Sequence, residues 1–194
     1  GQVGVTLELN PTESGTLTSA LNKGDFEICC AGTNFPLMEA GAGLYDMFHT
    51  SSMYSGNDRS ELSDPEVDAV LDQVIVTTDA DERAKLVEQA QELIHADAPF
   101  IYLALNCQSD VLKDVRVRQA LNYATDSESI RQVCYGADTS EPMLSVVPST
   151  LQGYRSDLEQ YGYDIDKAKS LLEEAGYGDG LTVEFKYLAS STNN

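Results

Sequence analysis

The stretch YDIDKAKSLLEEAGYGDGLTVEFKY, residues 163–187, sets the fold class because two periodicities meet in it. Asp164 stands where a cap belongs, and Ala168, Leu171, Leu172 and Ala175 follow at helical spacing until Gly176 stops the run. Leu181, Val183, Phe185 and Tyr187 then alternate with polar residues, the period of a strand. Helix followed by strand is the repeating unit of an α/β protein.

The same alternation extends along the chain. Val3, Val5, Leu7 and Leu9 alternate as a first strand with one buried face. Leu17, Ala20 and Leu21 mark a short helix ending at Lys23-Gly24, and residues 25–30 read as a strand. Residues 31–62, rich in Gly, Ser, Asn and Met, show no sustained period and predict a loop-dominated excursion of the kind that carries function. Ser63-Asp64-Pro65-Glu66 supplies a cap and a first-turn proline for a helix carrying Val67, Val70, Leu71 and Val74. Asp79 to Asp81 open a second helix through Ile94. Ala98-Pro99 ends it, and the run 100–105 has strand length and composition. Two short helices are expected over 114–124 and 126–135. With no repeat or compositional break, residues 1–194 read as one domain.

Composition narrows the function. The chain has 194 residues, 42% of them hydrophobic, enough for one domain to bury roughly 70% of its unfolded surface. Its formal charge of -20 opposes attraction to nucleic acid and to anionic lipid. No apolar run approaches the ~20 residues that span a bilayer, and no basic start with an apolar run opens the sequence. Cys29, Cys30, Cys107 and Cys134 lack metal or framework spacing and read as small buried hydrophobes. In a strand Cys29 and Cys30 point to opposite faces, which disfavours a bond between them; pairing with Cys107 or Cys134 stays open.

Catalytic and metal signatures are missing from the sequence. His49 and His95 have no second ligand at metal spacing and read as solvated or helix-terminal. No nucleophile elbow, phosphate loop or dinucleotide fingerprint occurs, and Gly176 to Gly180 follows a helix rather than a strand. The pairs Asp64 with Asp68, Asp68 with Asp72 and Glu173 with Glu174 fit solvated helix faces. A binder without cofactor is favoured over an enzyme.

Two longer stretches carry a resemblance. Tyr102 to Asn106 followed by Lys113-Asp114-Val115-Arg116-Val117-Arg118-Gln119-Ala120-Leu121-Asn122-Tyr123-Ala124-Thr125-Asp126, and then Tyr163 to Tyr177 with Asp179-Gly180, resemble the bacterial extracellular solute-binding proteins of family 5, which serve ABC importers of dipeptides, oligopeptides and nickel. Gly4 to Leu9, Gly24 to Ile28, Asp64 to Asp68, and Asp81 to Lys85 through Ala98-Pro99-Phe100 are similar to the same family, where that material follows rather than precedes the Asp114 block. The resemblance therefore implies a circularly permuted C-terminal lobe with a periplasmic-binding-protein-like fold, a central mixed sheet flanked by helices. On this resemblance both hinge passages are expected to be fused where Phe100 runs into Ile101. It also implies a helix of roughly four turns, a usual crossover element, between Tyr187 and Gly4, for which residues 190–194 and 1–3 leave little room.

Its functional implications are a peptide-like solute, ABC permease membrane subunits and an absent N-terminal lobe as partners, and an extracellular or periplasmic protein, membrane-anchored as a lipoprotein in full-length form. Nucleic acid and direct membrane insertion are not expected. Peptide-binding members carry an acid after a Trp for the peptide amino group; here Asn34 stands in that stretch, without a Trp, which removes a charge-assisted bond. Asn34, Phe35, Tyr45 and Asn106 are the expected ligand contacts, and Arg116 and Arg118 the expected helix anchors. One lobe offers half a cleft, so weak small-ligand binding is expected. A scaffold or protein-interaction domain of the same fold is the alternative.

Overall fold

The computed structural model describes residues 2–30, 39–54, 58–98, 103–135 and 144–189. In chain order they form β1 (Val5–Thr12), α1 (Ser14–Leu21), β2 (Ile28–Cys30), α2 (Ala40–Phe48), a 3-10 turn (Thr50–Ser52), α3 (Pro65–Val76), α4 (Ala80–Ala96), β3 (Ala104–Leu105), α5 (Val115–Tyr123), α6 (Ser127–Tyr135), α7 (Ile165–Glu174) and β4 (Leu181–Leu188). The α/β class is observed directly: the sheet is mixed, in the order β1-β4-β2-β3. β1 and β2 lie parallel to β4 on either side, and β3 is antiparallel to β2.

One face of the sheet is covered by α5 and α7. Val117, Ala120, Leu121, Ala168, Leu171 and Leu172 pack there against Ile28, Leu105 and Val183. The opposite face holds a smaller cluster in which Leu17 and Leu21 of α1 meet Phe26, Cys29 and Ala104. A third core belongs to the helices: Leu44, Met47 and Phe48 of α2 with Val67, Leu71 and Val74 of α3 and Val87, Ala90 and Ile94 of α4.

Start signals read from the sequence have physical counterparts. Asp64 accepts the Glu66 amide at 2.7 Å ahead of Pro65, and Asp79 accepts those of Asp81 and Glu82. Asp164 accepts the Lys167 amide at 2.9 Å. Each satisfies helix-end donors that would otherwise lack an intrahelical partner.

Three expectations need correction. Residues 31–62 are not loop-dominated throughout, because α2 occupies Ala40–Phe48. Its glycines and nearly all-round apolar surface hide the helical period. It forms because Glu39 accepts the Gly41 and Ala42 amides and because Leu44, Met47 and Phe48 are buried. Second, the strand expected over 25–30 shortens to Ile28–Cys30, and of the strand expected over 100–105 only Ala104–Leu105 is a described strand. Third, β1 does not bury one full face. It is an outer strand, and Leu7 and Leu9 remain 46% and 60% exposed.

Candidate functional site

In open sheets with parallel strands, ligands gather beyond the carboxyl ends of those strands. Here the rule selects one edge. β1 and β4 pair in register from Val5 with Leu181 to Thr12 with Leu188, and Cys30 of β2 pairs with Tyr187, so all three parallel strands finish together. An open cleft of about 500 Å³ lies at that edge, lined by Asn10, Thr12, Glu13, Thr16, Lys23 and Lys186 among others. Cys30, the last residue of β2, lies at the same edge.

The cleft is polar and electrostatically balanced at its base. The Lys186 ammonium donates to the Asp25 carbonyl and lies 3.2 Å from Glu184 Oε2 and 3.6 Å from Asp25 Oδ2. Asn10 Nδ2 donates to Glu184 Oε1 at 2.8 Å. Lys23 stands at the rim as an exposed cation. Such an arrangement can hydrogen-bond a polar solute, with Lys23 available to an anionic group. Sequence reasoning missed this cleft. The end of the β1 alternation at Thr12 was the available signal, since it locates the carboxyl edge once the strands are known to be parallel.

Of the four residues expected to touch ligand, Tyr45 and Asn106 are described, the first on α2 and the second just after β3. Asn34 and Phe35 lie outside the described residues. Tyr45, on α2, stacks on His49 with ring centroids 4.2 Å apart and has its hydroxyl 3.4 Å from Ser51 Oγ. Asn106 is buried next to β3 at the amino end of β2, where its Nδ2 donates to the carbonyls of Gly24 at 3.0 Å and Phe26 at 2.7 Å. Its Oδ1 accepts the Gln108 amide at 2.9 Å. All three contacts bind chain to chain, so Asn106 locks the turn before β2 to the end of β3.

Both arginines of the Asp114 block are anchors, as expected. Arg116 Nη1 donates to the Glu174 carbonyl at 2.8 Å, tying α5 to the end of α7, and its Nη2 pairs with Asp114 at 2.6 Å. Arg118 is buried and donates to the carbonyls of Asp97, Leu112 and Lys113. Burial pushes the Asp97 carboxyl up to about 6 even with the Arg118 guanidinium beside it.

His49 is helix-terminal but buried, not solvated. Its Nδ1 accepts the Ser51 amide at 3.0 Å, which assigns the ring hydrogen to Nε2. Nε2 lies 3.4 Å from Asp72 Oδ1 and 3.8 Å from Asp68 Oδ1 but makes no hydrogen bond among the described residues. Asp68 accepts the Thr50 amide at 2.9 Å, so it ties α3 to the 3-10 turn rather than merely facing water. With Nε2 protonated the ring offers no lone pair there, and among the described residues no group of three or more His, Cys, Asp or Glu could hold a metal ion. His95 closes α4 and sits 2.6 Å from the Glu159 carbonyl. Cys29 is buried and Cys30 exposed, on opposite faces; both are free thiols, as is Cys107, and the side chain of Cys134 lies outside the described ones. No described helix is long and apolar enough to cross a membrane.

The profile of the bacterial extracellular solute-binding proteins, family 5 (its middle part), matches residues 66–194. The chain belongs to that family. Relatives with which it shares sequence include the dipeptide-binding protein of Escherichia coli K12, 44% identical over 84 residues, which are 43% of this chain and 15% of that protein. Heme-binding protein A of Haemophilus influenzae is 42% identical over 85 residues, again 43% and 15% of the two chains. The glutathione-binding protein GsiB of Salmonella typhimurium is 33% identical over 104 residues, 52% of this chain and 20% of that one. The family 5 chain thus spans 15 to 20% of the length of these curated relatives. No solved structure matches it.

Proposed function

We propose that this chain is the substrate-binding C-terminal lobe of a family 5 solute-binding protein, capturing a peptide-like solute for an ABC importer. In full-length form the lobe closes with an N-terminal lobe over the solute and delivers it to the permease membrane subunits, outside the cytoplasm and held by a lipid anchor. The observation that carries this reading is the family match across residues 66–194. The names of the relatives, which bind dipeptide, haem and glutathione, support a small solute and a binding role rather than catalysis.

The order of segments is permuted in this reading, and 1–194 is a single lobe. Support comes from β1 and β4: they stand near opposite ends of the chain yet pair side by side over eight residues. Asn34 and Phe35 contact the solute from the segment that leaves the carboxyl edge after Cys30, Tyr45 supplies a wall, and Asn106 acts through the strands it locks. Asn34 accommodates a neutral or hydrogen-bonding group where an acid would select an ammonium.

The test is a titration of the chain with a dipeptide, glutathione and haem, followed by backbone amide shifts and calorimetry. A half-cleft gives affinities weaker than about 1 mM, with shifts centred on Asn34, Phe35 and Tyr45. A submillimolar Kd would overturn the half-site, and shifts that leave those three residues untouched would overturn the site.

A further inference from the structure

The segment from Asp58 to Leu62 concentrates buried charge. Asp58 and Glu61 are 1% and 0% exposed. Asp58 Oδ1 accepts from the Ser60 amide, the Ser60 hydroxyl and the Glu61 amide at 2.9 to 3.0 Å. Among the described residues, Asp58 Oδ2, both carboxyl oxygens of Glu61, and Nε and Nη1 of Arg59 are buried without a well-formed hydrogen bond, the Tyr54 amide giving Glu61 only a weak one. Native proteins rarely leave so many buried polar atoms unmatched at one place, because each costs about 1–3 kcal/mol. Glu61 also holds a left-handed backbone, with φ at +50°, which is strained for a residue with a side chain.

This segment is fastened to the end of β3. The Cys107 amide donates to the Ser60 carbonyl at 2.7 Å, and Gln108 Nε2 donates to the Glu61 carbonyl at 3.0 Å. Next to them, Asn106 holds the turn before β2. The charged and titratable groups around the pair come from every neighbouring element: Arg59 in the segment, Cys29 of β2, Cys107 after β3, and, on the far side of Cys107, Asp97 at the end of α4 and Arg118 of α5. Among the described residues, Arg59 is the cation that acts directly on both carboxyls. Two ionised carboxylates and one guanidinium would leave a buried net negative charge.

We propose that Asp58 and Glu61 form a proton-linked latch, which clamps the 58–62 segment onto the turn at 106–108 when the carboxyls are protonated and loosens when they ionise. Burial raises both groups, Asp58 to about 6 and Glu61 to about 7, and the Asp58 charge adds to the rise at Glu61. The Tyr54 amide and Arg59 offset part of that rise at Glu61. Cys29 and Cys107, both pushed up to about 12 by burial, stay neutral throughout. Carboxyls with raised values bind protons more tightly folded than unfolded. Their contribution is therefore fully present below the unfolded value near 4 and is lost as pH rises through 6 to 7. The latch rests on no assumption about solute or importer.

Two measurements test it on the whole chain. Thermal midpoints taken between pH 5 and pH 8 should fall with rising pH in the unaltered protein. Glu61→Gln, which keeps shape and removes the charge, should flatten that fall and melt higher than the parent at pH 8. Asp58→Asn should act in the same direction over a slightly more acidic range, since an amide oxygen can still accept the three bonds. Glu8→Gln, which removes one exposed carboxylate from β1, should leave the slope unchanged. Hydrogen exchange supplies the local readout: protection of the Cys107 amide, corrected for intrinsic rate, should drop roughly 10- to 100-fold from pH 5 to pH 8 in the parent and hold steady in Glu61→Gln. A parent without a pH slope, or a Glu61→Gln protein with the parental slope and parental Cys107 protection, would overturn the latch.

Discussion

Replacing Asn106 by alanine separates two roles for that side chain, solute contact and internal lock. The side chain donates to the carbonyls of Gly24 and Phe26 and accepts the Gln108 amide, all within 3.0 Å. Truncation leaves up to three backbone groups without their partner, two of them at the turn that enters β2. At about 1–3 kcal/mol for each group that water cannot reach, and with the Gly24 and Gln108 contacts only partly buried, the loss should be about 2–4 kcal/mol. For a chain of this size, 1 kcal/mol moves the midpoint by about 2–4 °C, so Asn106→Ala should melt about 5–15 °C lower by circular dichroism. Asn106→Asp keeps an acceptor for Gln108 but sets a carboxylate against two carbonyls; it should be as unstable as alanine at pH 8 and recover part of the loss at pH 4. A midpoint within about 1 °C of the parent for Asn106→Ala would refute the lock.

Other outcomes follow from the same contacts. Arg118→Met strands the carbonyls of Asp97, Leu112 and Lys113 and leaves Asp97 without its cation; a loss of about 3–5 kcal/mol is expected in urea denaturation. Gly41→Ala drives a methyl into Val74 Cγ1, at the contact of α2 with α3. Overpacking of this kind costs about 1–3 kcal/mol, visible as a lower urea midpoint with an unchanged slope. A stability equal to the parent in either variant would mean that the packing described around it is wrong.

How much of this was legible beforehand depended on whether the signal was local. Asp64-Pro65 announces α3 because capping and a first-turn proline act within one helical turn, and Asp164 with Gly176 brackets α7 for the same reason. The α2 helix escaped because Gly41 and Gly43 lower intrinsic propensity while tertiary burial of Leu44 and Phe48 supplies the stability, a contribution no local window contains. The alternation in β1 reported a strand truthfully, but an outer place in the sheet, which is a property of topology, decides whether its apolar side is covered. The internal hydrogen bonds of Asn106 carried no sequence signal, since sequence alone does not distinguish a side chain that meets solute from one that meets its own backbone. Asp58 and Glu61 lie in the stretch 31–62 read as loop-dominated, and only the fold brings Cys29, Cys107 and the 106–108 turn around them.

The outer strand has a consequence for the protein as a colloid. An edge strand that presents Leu7 and Leu9 is a template for association with other chains. At neutral pH a charge of -20 holds such chains apart. Salt near 1 M shortens the reach of that repulsion to about 3 Å, and acid removes the charge itself by protonating surface carboxylates. The acid that tightens Asp58 and Glu61 inside the fold therefore also discharges its exterior, so the hold of that latch and resistance to precipitation run in opposite directions with pH. Dilute, low-salt, near-neutral solutions are where edge-to-edge association of the folded chain is weakest.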